Sequence, residues 1–220
     1  MQSAAAGEID TMNAEIAGVI LAGGLSSRMG GGDKGLLPLA RHSVLERVTA
    51  RLKPQVGRFA LNANGDPARF ADFDAPILPD SVAGFPGPLA GVLTGLEWAA
   101  AETNCRAIVT VAADTPFFPE TLVVGLSEAA AEAGTIAMAR SSGRPHPTFA
   151  LWPLALREPL RHFLVEEGNR RVLSFIERHR FVEVEFPLAP LRHGTLDPFF
   201  NINTPADLVE AERILQELPA

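Results

Sequence analysis

The chain of 220 residues is 47% hydrophobic and 20% charged, which supplies apolar material for one full core and leaves little for a second domain. A formal net charge of −7 and a pI near 5.3 argue against the basic face that nucleic acid or an anionic membrane would need, so any phosphate binding must be local. No apolar run reaches the ~20 residues that span a bilayer, and Met1–Glu15 has neither a basic start nor a continuous apolar stretch. The single cysteine, Cys105, cannot close an internal disulfide. These features point to a soluble, cytoplasmic protein with no nucleic-acid or membrane partner, and to one domain over residues 16–220 behind a mobile tail, 1–15.

Ile16–Ala22 is apolar, short and stopped by Gly23 and Gly24, which predicts a buried strand. A glycine-rich loop follows to Lys34. Ser43–Leu52 places Val44, Leu45, Val48 and Leu52 on one helical stripe. Val56–Asn62 and Ala75–Leu78 read as strands, the first ending in dense turn chemistry from Asn62 to Pro67. Pro88 suits the first turn of a helix whose stripe is Leu89, Val92, Leu93 and Leu96, continuing to about Ala101. Ala107–Ala112 is apolar throughout, as for a strand in the middle of a covered parallel sheet. A helix over Pro119–Glu132 and a strand over Thr135–Ala139 continue an alternation that implies a doubly wound α/β sheet with right-handed crossovers. Beyond Ser141, Pro147–Trp152 reads as a strand, Leu154–Val165 and Arg170–Arg178 as amphipathic helices, and Phe181–Phe186 as an alternating strand with Val182, Val184 and Phe186 on one face. Thr204, Pro205 and Asp207 open a final helix with a cap, a first-turn proline and an acidic third position; Leu208, Ala211, Ile214, Leu215 and Leu218 form its stripe.

In open α/β sheets ligands bind beyond the carboxyl ends of the strands. The residues found there are Leu21–Lys34, Asn62, Asp80, Gly87–Gly91 and Asp114. Glycines allow backbone N–H groups to curl around an oxyanion, and Arg28 and Lys34 supply counter-charge. Asp114 is the natural Mg²⁺ ligand, because Mg²⁺ takes one or two carboxylates with phosphate oxygens and water; a turn-capping role before Pro116 is the alternative. Lys34 follows Asp33 and precedes Gly35, which departs from the Walker A pattern, and the dinucleotide spacing is absent from Gly23 onward. His42, His162, His179 and His193 lack ligand spacing, and Trp98 and Trp152 read as core or rim residues.

Leu21–Lys34 resembles the signature of nucleotidyltransferases with a glycosyltransferase-A-like fold, and more narrowly of molybdenum cofactor guanylyltransferases of the MobA type. Asn62–Asn64, Asp80–Ser81, Gly87–Gly91, Asp114–Pro116, His146–Thr148, Gly168–Val172 and Asn201–Pro205 fit the same group in the same order, over about residues 16–215. The resemblance implies an α/β, Rossmann-like (glycosyltransferase-A-like) three-layer α/β/α sandwich around a mostly parallel, mixed sheet. It further implies Mg²⁺-dependent transfer of GMP from GTP to molybdopterin, or molybdenum-molybdopterin, with release of pyrophosphate. By matching positions, Leu21, Ala22, Gly23, Asn62 and Asp80 would hold the guanosine, Lys34 and Arg28 the phosphates, and Asp114 the metal. Gly24 and Gly91 would let the surrounding loops close. Leu25–Ser27 stands where basic residues can occur, which leaves more to Arg28 and the backbone. Arg144, His146, Thr148, Arg170, Arg171, Asn201 and Asn203 are the polar candidates for the acceptor, with a solvated helix start as the alternative for Arg170 and Arg171. Molybdenum-insertion proteins and apo-molybdoenzymes or their chaperones are the implied protein partners. Rival readings are a cytidylyltransferase for the same acceptor, a sugar-phosphate nucleotidyltransferase and a non-catalytic nucleotide or cofactor carrier.

Overall fold

A computed structural model describes residues 15–23, 34–84, 87–102 and 104–218. Of the expected tail, residues 1–14 lie outside this set, and Glu15 is anchored: its carbonyl accepts the Arg106 N–H at 2.9 Å and its carboxylate meets the Arg106 guanidinium at 3.2 Å. Arg28, Gly24 and the rest of the glycine loop, residues 24–33, are also outside it.

Seven strands among the described residues form one sheet: β1 (Ile16–Leu21), β2 (Arg58–Asn62), β3 (Ile77–Leu78), β4 (Ala107–Ala112), β5 (Ile136–Ser141), β6 (Arg144–Pro153) and β7 (Phe181–Glu185). Their spatial order is β3-β2-β1-β4-β6-β5-β7. The first four are mutually parallel, and β5 and β7 pair in parallel. β6 runs antiparallel to both β4 and β5. The expected mostly parallel, mixed sheet is therefore present, with a single reversed strand inserted beside β4.

Helices α1 (Val44–Leu52), α2 (Pro88–Glu102), α3 (Leu122–Ala129), α4 (Arg157–Val165), α5 (Val172–Ile176) and α6 (Pro205–Glu217) complete the framework. α1 and α3 pack one face of the sheet through Leu45, Val48, Leu52, Leu122 and Leu126. α2, α4 and α5 cover the other through Leu89, Leu93, Leu96, Phe163 and Phe175. β4 serves both, with Val109 and Val111 in the first cluster and Ile108 in the second, which accounts for its apolar run. α6 closes a third cluster through Ala211 and Ile214, against Leu39, Phe117 and Ile202. Trp152 is fully buried, donating its indole N–H to Thr110 Oγ1 at 2.9 Å; Cys105 is buried as well.

Local chemistry sets several boundaries. Ser43 and Glu46 form a capping box at α1, and Thr204 and Asp207 form one at α6, where the Asp207 carboxylate also accepts the Asn203 N–H at 2.9 Å. Those backbone donors, with Asn203 foremost, hold the Asp207 carboxyl below its ordinary range. α3 is shorter than the expected Pro119–Glu132: a turn precedes it, and the alanine-rich stretch after Ala129 has little to bury, ending near Gly134 at φ +81°. Leu154–Leu156 is a 3-10 turn after Pro153, so α4 starts later than expected, and α5 has only five residues. β6 starts earlier than expected, at Arg144, because a register shift opposite Met138 and Ala139 leaves Pro147 between paired positions. No helix among the described residues is long and apolar enough to cross a membrane.

Gly95 is where α2 comes closest to the sheet: a Cβ there would lie 2.7 Å from Val19 Cγ2 and 3.0 Å from Ile108 Cδ1. An exposed helix would gain about 1 kcal/mol from Gly→Ala. Here a buried, stiff β-branched neighbour must yield, and overpacking of about 1–3 kcal/mol dominates. Gly95→Ala should lower the urea midpoint without changing the m value; a raised midpoint would show that α2 moves off the sheet freely.

Candidate active site

The parallel strands all end on one edge of the sheet. Because β6 is reversed, its first residues, Arg144–His146, lie on that same edge next to Ser141 at the end of β5. The edge thus gathers Leu21–Gly23, Asn62, Asp80, Asp114, Ser141 and His146 from six segments.

On both sides of β1 the backbone pairing runs past the strands, with Ala22 N–H donating to Asn62 O at 2.9 Å and Ala113 N–H to Leu21 O at 3.1 Å. The buried Asn62 side chain donates through Nδ2 to Leu78 O (3.0 Å) and to Asp80 Oδ1 (2.9 Å). Asn64 donates to Asp80 Oδ2 (2.8 Å) and accepts the Asp80 N–H (2.8 Å). Two amides therefore fix both oxygens of Asp80 while leaving it further acceptor capacity. Asn64 belongs to this device although sequence reasoning quoted it only within a motif. Gly91 has a packing role: a Cβ there would fall 2.2 Å from Asn62 Oδ1 and 2.7 Å from Leu21 Cδ2. Gly23 differs, since a Cβ would meet nothing closer than Asn62 Oδ1 at 3.7 Å, and its backbone is exposed.

Lys34 opens a 3-10 turn, and its Nζ donates to Asn203 Oδ1 at 2.8 Å, across 169 residues of chain. Asp114, just beyond β4, is partly buried and accepts the Thr115 hydroxyl at 3.1 Å. Its carbonyl accepts the Ile202 N–H at 2.8 Å. Burial raises the Asp114 carboxyl above its ordinary range, opposed by the Thr115 hydrogen bond and by the nearby Lys34 ammonium. Lys34 and Asp114 are thus neighbours, each tied to the 202–203 segment. Among the described residues there is no cluster of three or more His, Cys, Asp or Glu that could hold a metal. A cation here would rest on a single carboxylate whose ionised form lacks full compensation, with its other ligands coming from substrate and water, which suits a hard divalent ion.

The acceptor candidates divide into two groups. His146 is partly buried, stacks on Phe199 with ring centroids 4.3 Å apart, and bonds Ser141 Oγ through Nε2 at 2.7 Å. Arg144 is exposed beside it, Thr148 lies in the register shift, and Asn201 is exposed on the segment that carries Asn203. Arg170 instead donates to Gly84 O at 3.1 Å, before α2, and Arg171 is the exposed residue preceding α5. Ser141, Asp197 and Phe199 were not singled out by sequence reasoning. Single residues without a period or motif offered no signal beyond the proximity of Asp197 and Phe199 to Asn201.

A mostly parallel α/β sheet that gathers Asp80, Lys34 and Asp114 on its carboxyl edge is a Rossmann-like fold, and the chain is a nucleotidyltransferase. The chain belongs to the family described as the MobA-like NTP transferase domain, whose model matches residues 18–182. A relative from Mesorhizobium japonicum named molybdenum cofactor guanylyltransferase is 59% identical, covering 94% of this chain and 99% of its own. A relative of the same name from Rhodopseudomonas palustris is 52% identical, covering 89% and 92%. In fold, the chain is similar to the crystal structure of molybdopterin-guanine dinucleotide biosynthesis protein A from Archaeoglobus fulgidus, with a TM-score of 0.68, 24% identity and coverage of 91% and 98%.

Two outcomes test this edge. A carboxyl whose folded pKa is raised contributes stability below its unfolded pKa and loses it as pH rises through the folded value. Metal-free Asp114→Asn should therefore melt above wild type at pH 7, with the difference narrowing as pH falls into the ordinary carboxylate range; a lower melting temperature at pH 7 would contradict the burial cost. Gly91→Ala should displace Asn62 and weaken nucleotide binding about 5–13-fold by isothermal calorimetry, since one well-placed hydrogen bond is worth about 1–1.5 kcal/mol.

Proposed function

We propose that the chain is a molybdenum cofactor guanylyltransferase: it transfers GMP from GTP to molybdopterin or molybdenum-molybdopterin, forming the guanine dinucleotide cofactor and pyrophosphate. The supporting observation is the Lys34–Asp114 juxtaposition on the carboxyl edge of a chain 59% identical, over 94% of its length, to a protein of that name. The domain that does this work spans residues 16–220.

Attack by the acceptor's phosphate on the α-phosphorus brings two anions together, so the site must neutralise and align charge. Lys34, held by Asn203 in the free protein, is the cation available to the triphosphate and the departing pyrophosphate. Arg28 is its proposed companion. Asp114 would hold Mg²⁺ together with phosphate oxygens and water, and the ion when bound supplies charge neutralisation at the reacting phosphate. Asp80, an acceptor fixed by Asn62 and Asn64, matches the N–H and O–H donors of guanosine; Leu21, Ala22 and Gly23 line its approach. Gly24 and Gly91 complete the nucleotide side. Arg144, His146, Thr148, Arg170, Arg171, Asn201 and Asn203 are the proposed acceptor contacts. No general base is needed, because a phosphate monoester is largely ionised near neutral pH.

Purified protein given molybdopterin, Mg²⁺ and each NTP in turn should release pyrophosphate with GTP and yield a product of the guanine dinucleotide mass. Turnover with CTP alone would identify a cytidylyltransferase, and nucleotide binding without any turnover a carrier. Lys34→Ala should lower kcat/KM by about 10²–10³-fold, as removal of a charge-stabilising group does. Asp114→Ala should abolish the metal-dependent rate.

A further inference from the structure

Ser141, His146 and Asp197 form a hydrogen-bonded line with the serine in the middle. Ser141 is fully buried at the end of β5, and its Oγ donates to Asp197 Oδ1 at 2.7 Å. The same carboxylate oxygen accepts the Phe199 N–H at 3.0 Å. A hydroxyl has one proton. With that proton committed to Asp197, Ser141 Oγ can only accept from His146, 2.7 Å away, so Nε2 of the imidazole carries hydrogen. The ring is held flat against Phe199, which is itself packed edge-on to Phe149 and Phe186. Nδ1 has no hydrogen-bond partner among the described residues.

The order of the three residues excludes a nucleophilic serine, because His146 is a donor to Ser141 and not its base. Burial also holds the His146 ring below its ordinary pKa, with Arg144 acting in the same sense and Asp197 and Glu185 against it. A neutral ring donating through Nε2 presents a bare lone pair at Nδ1. The doubly ionised phosphate of a monoester offers no donor to it, whereas ring N–H and amino groups of a heterocycle do. The location fits, since Phe199 is three residues from Ile202, which touches Asp114, and three extended residues span at most ~11 Å.

We propose that Ser141 and Asp197 are positioning residues that hold His146 in its Nε2–H form, so that Nδ1 accepts a hydrogen bond from an N–H of the acceptor's heterocycle and does not serve its phosphate. This rests on the pterin-acceptor reading above. It divides the acceptor residues by task, giving the heterocycle to His146 and the phosphate to cationic side chains such as Arg144.

The test is nitrogen NMR of the histidine rings in the intact protein. Wild type should show His146 as the Nε2–H tautomer; 6-hydroxymethylpterin, which has no phosphate, should shift its Nδ1 resonance, and sulfate, a tetrahedral oxyanion without an O–H, should not. An Nδ1–H tautomer in wild type, or a response to sulfate with none to the pterin, would overturn the proposal. Asp197→Ala removes the acceptor, frees the serine proton to turn toward His146 and should move the ring toward Nδ1–H. In turnover the same variant should raise KM for molybdopterin about ten-fold, the worth of one hydrogen bond, with KM for GTP unchanged. Equal changes in both KM values would mark a purely structural role and sink the idea. Ser141→Ala, which removes the bridging hydroxyl itself, repeats the measurement should Asp197→Ala fold poorly. The ring spectra do not require catalysis, so absence of guanylyl transfer by wild type would defeat the functional reading while leaving the tautomer result separately legible.

Discussion

The crossing of residues 197–203 over the carboxyl end of β4 is the constraint on which the site depends. At one end Asp197 is bound by Ser141, in the middle Phe199 stacks on His146, and at the other Ile202 binds Asp114 while Asn203 holds Lys34. No regular element spans this distance. The segment is held because β4 and β6 stop pairing at Thr110 and Ala150, and the shifted register at Pro147–Phe149 leaves space beyond them. Aromatic side chains fill that space: Phe149, Phe186 and Phe199 are all nearly inaccessible to solvent.

The arrangement reconciles stability with reactivity. Asp114 sits where burial disfavours its charge, and the ammonium of Lys34 offsets only part of that cost. A carboxylate so placed is ready for a cation, and a lysine resting on a neutral amide is ready for a phosphate. On the opposite side Asp80 is held at both oxygens by asparagine amides, so its carboxylate is fixed before any ligand arrives. The edge therefore has a half stiffened by side-chain amides and tied to β2 and α2, and a half that depends on one long-range segment.

Much of the architecture was legible in the chain. Ala107–Ala112 is the strand that its unbroken apolar run implied, the α1 stripe is buried at Val44, Leu45, Val48 and Leu52, and the Thr204–Asp207 cap starts α6. Boundaries failed where apolar period and packing parted: alanines after Ala129 continue a helical pattern without burying much surface, and prolines at 145 and 147 concealed the start of β6. Collecting the residues after each strand found Asn62, Asp80 and Asp114. The same rule overlooks Ser141, because the strand that carries it was expected to stop at Ala139, and Asp197, because an irregular segment has no period.

What the sequence determined by itself was the alternation of elements, the carboxyl-edge residues of the parallel strands and, through several ordered motifs, the family, since each is written in local pattern or spacing. The tertiary structure alone decided that β6 runs backwards between β4 and β5, that Gly91 is required by an oxygen of Asn62, and that Lys34 meets Asn203. Those facts are pairings between residues far apart in the chain, and their geometry is set by packing across the sheet. Local propensity carries no record of it.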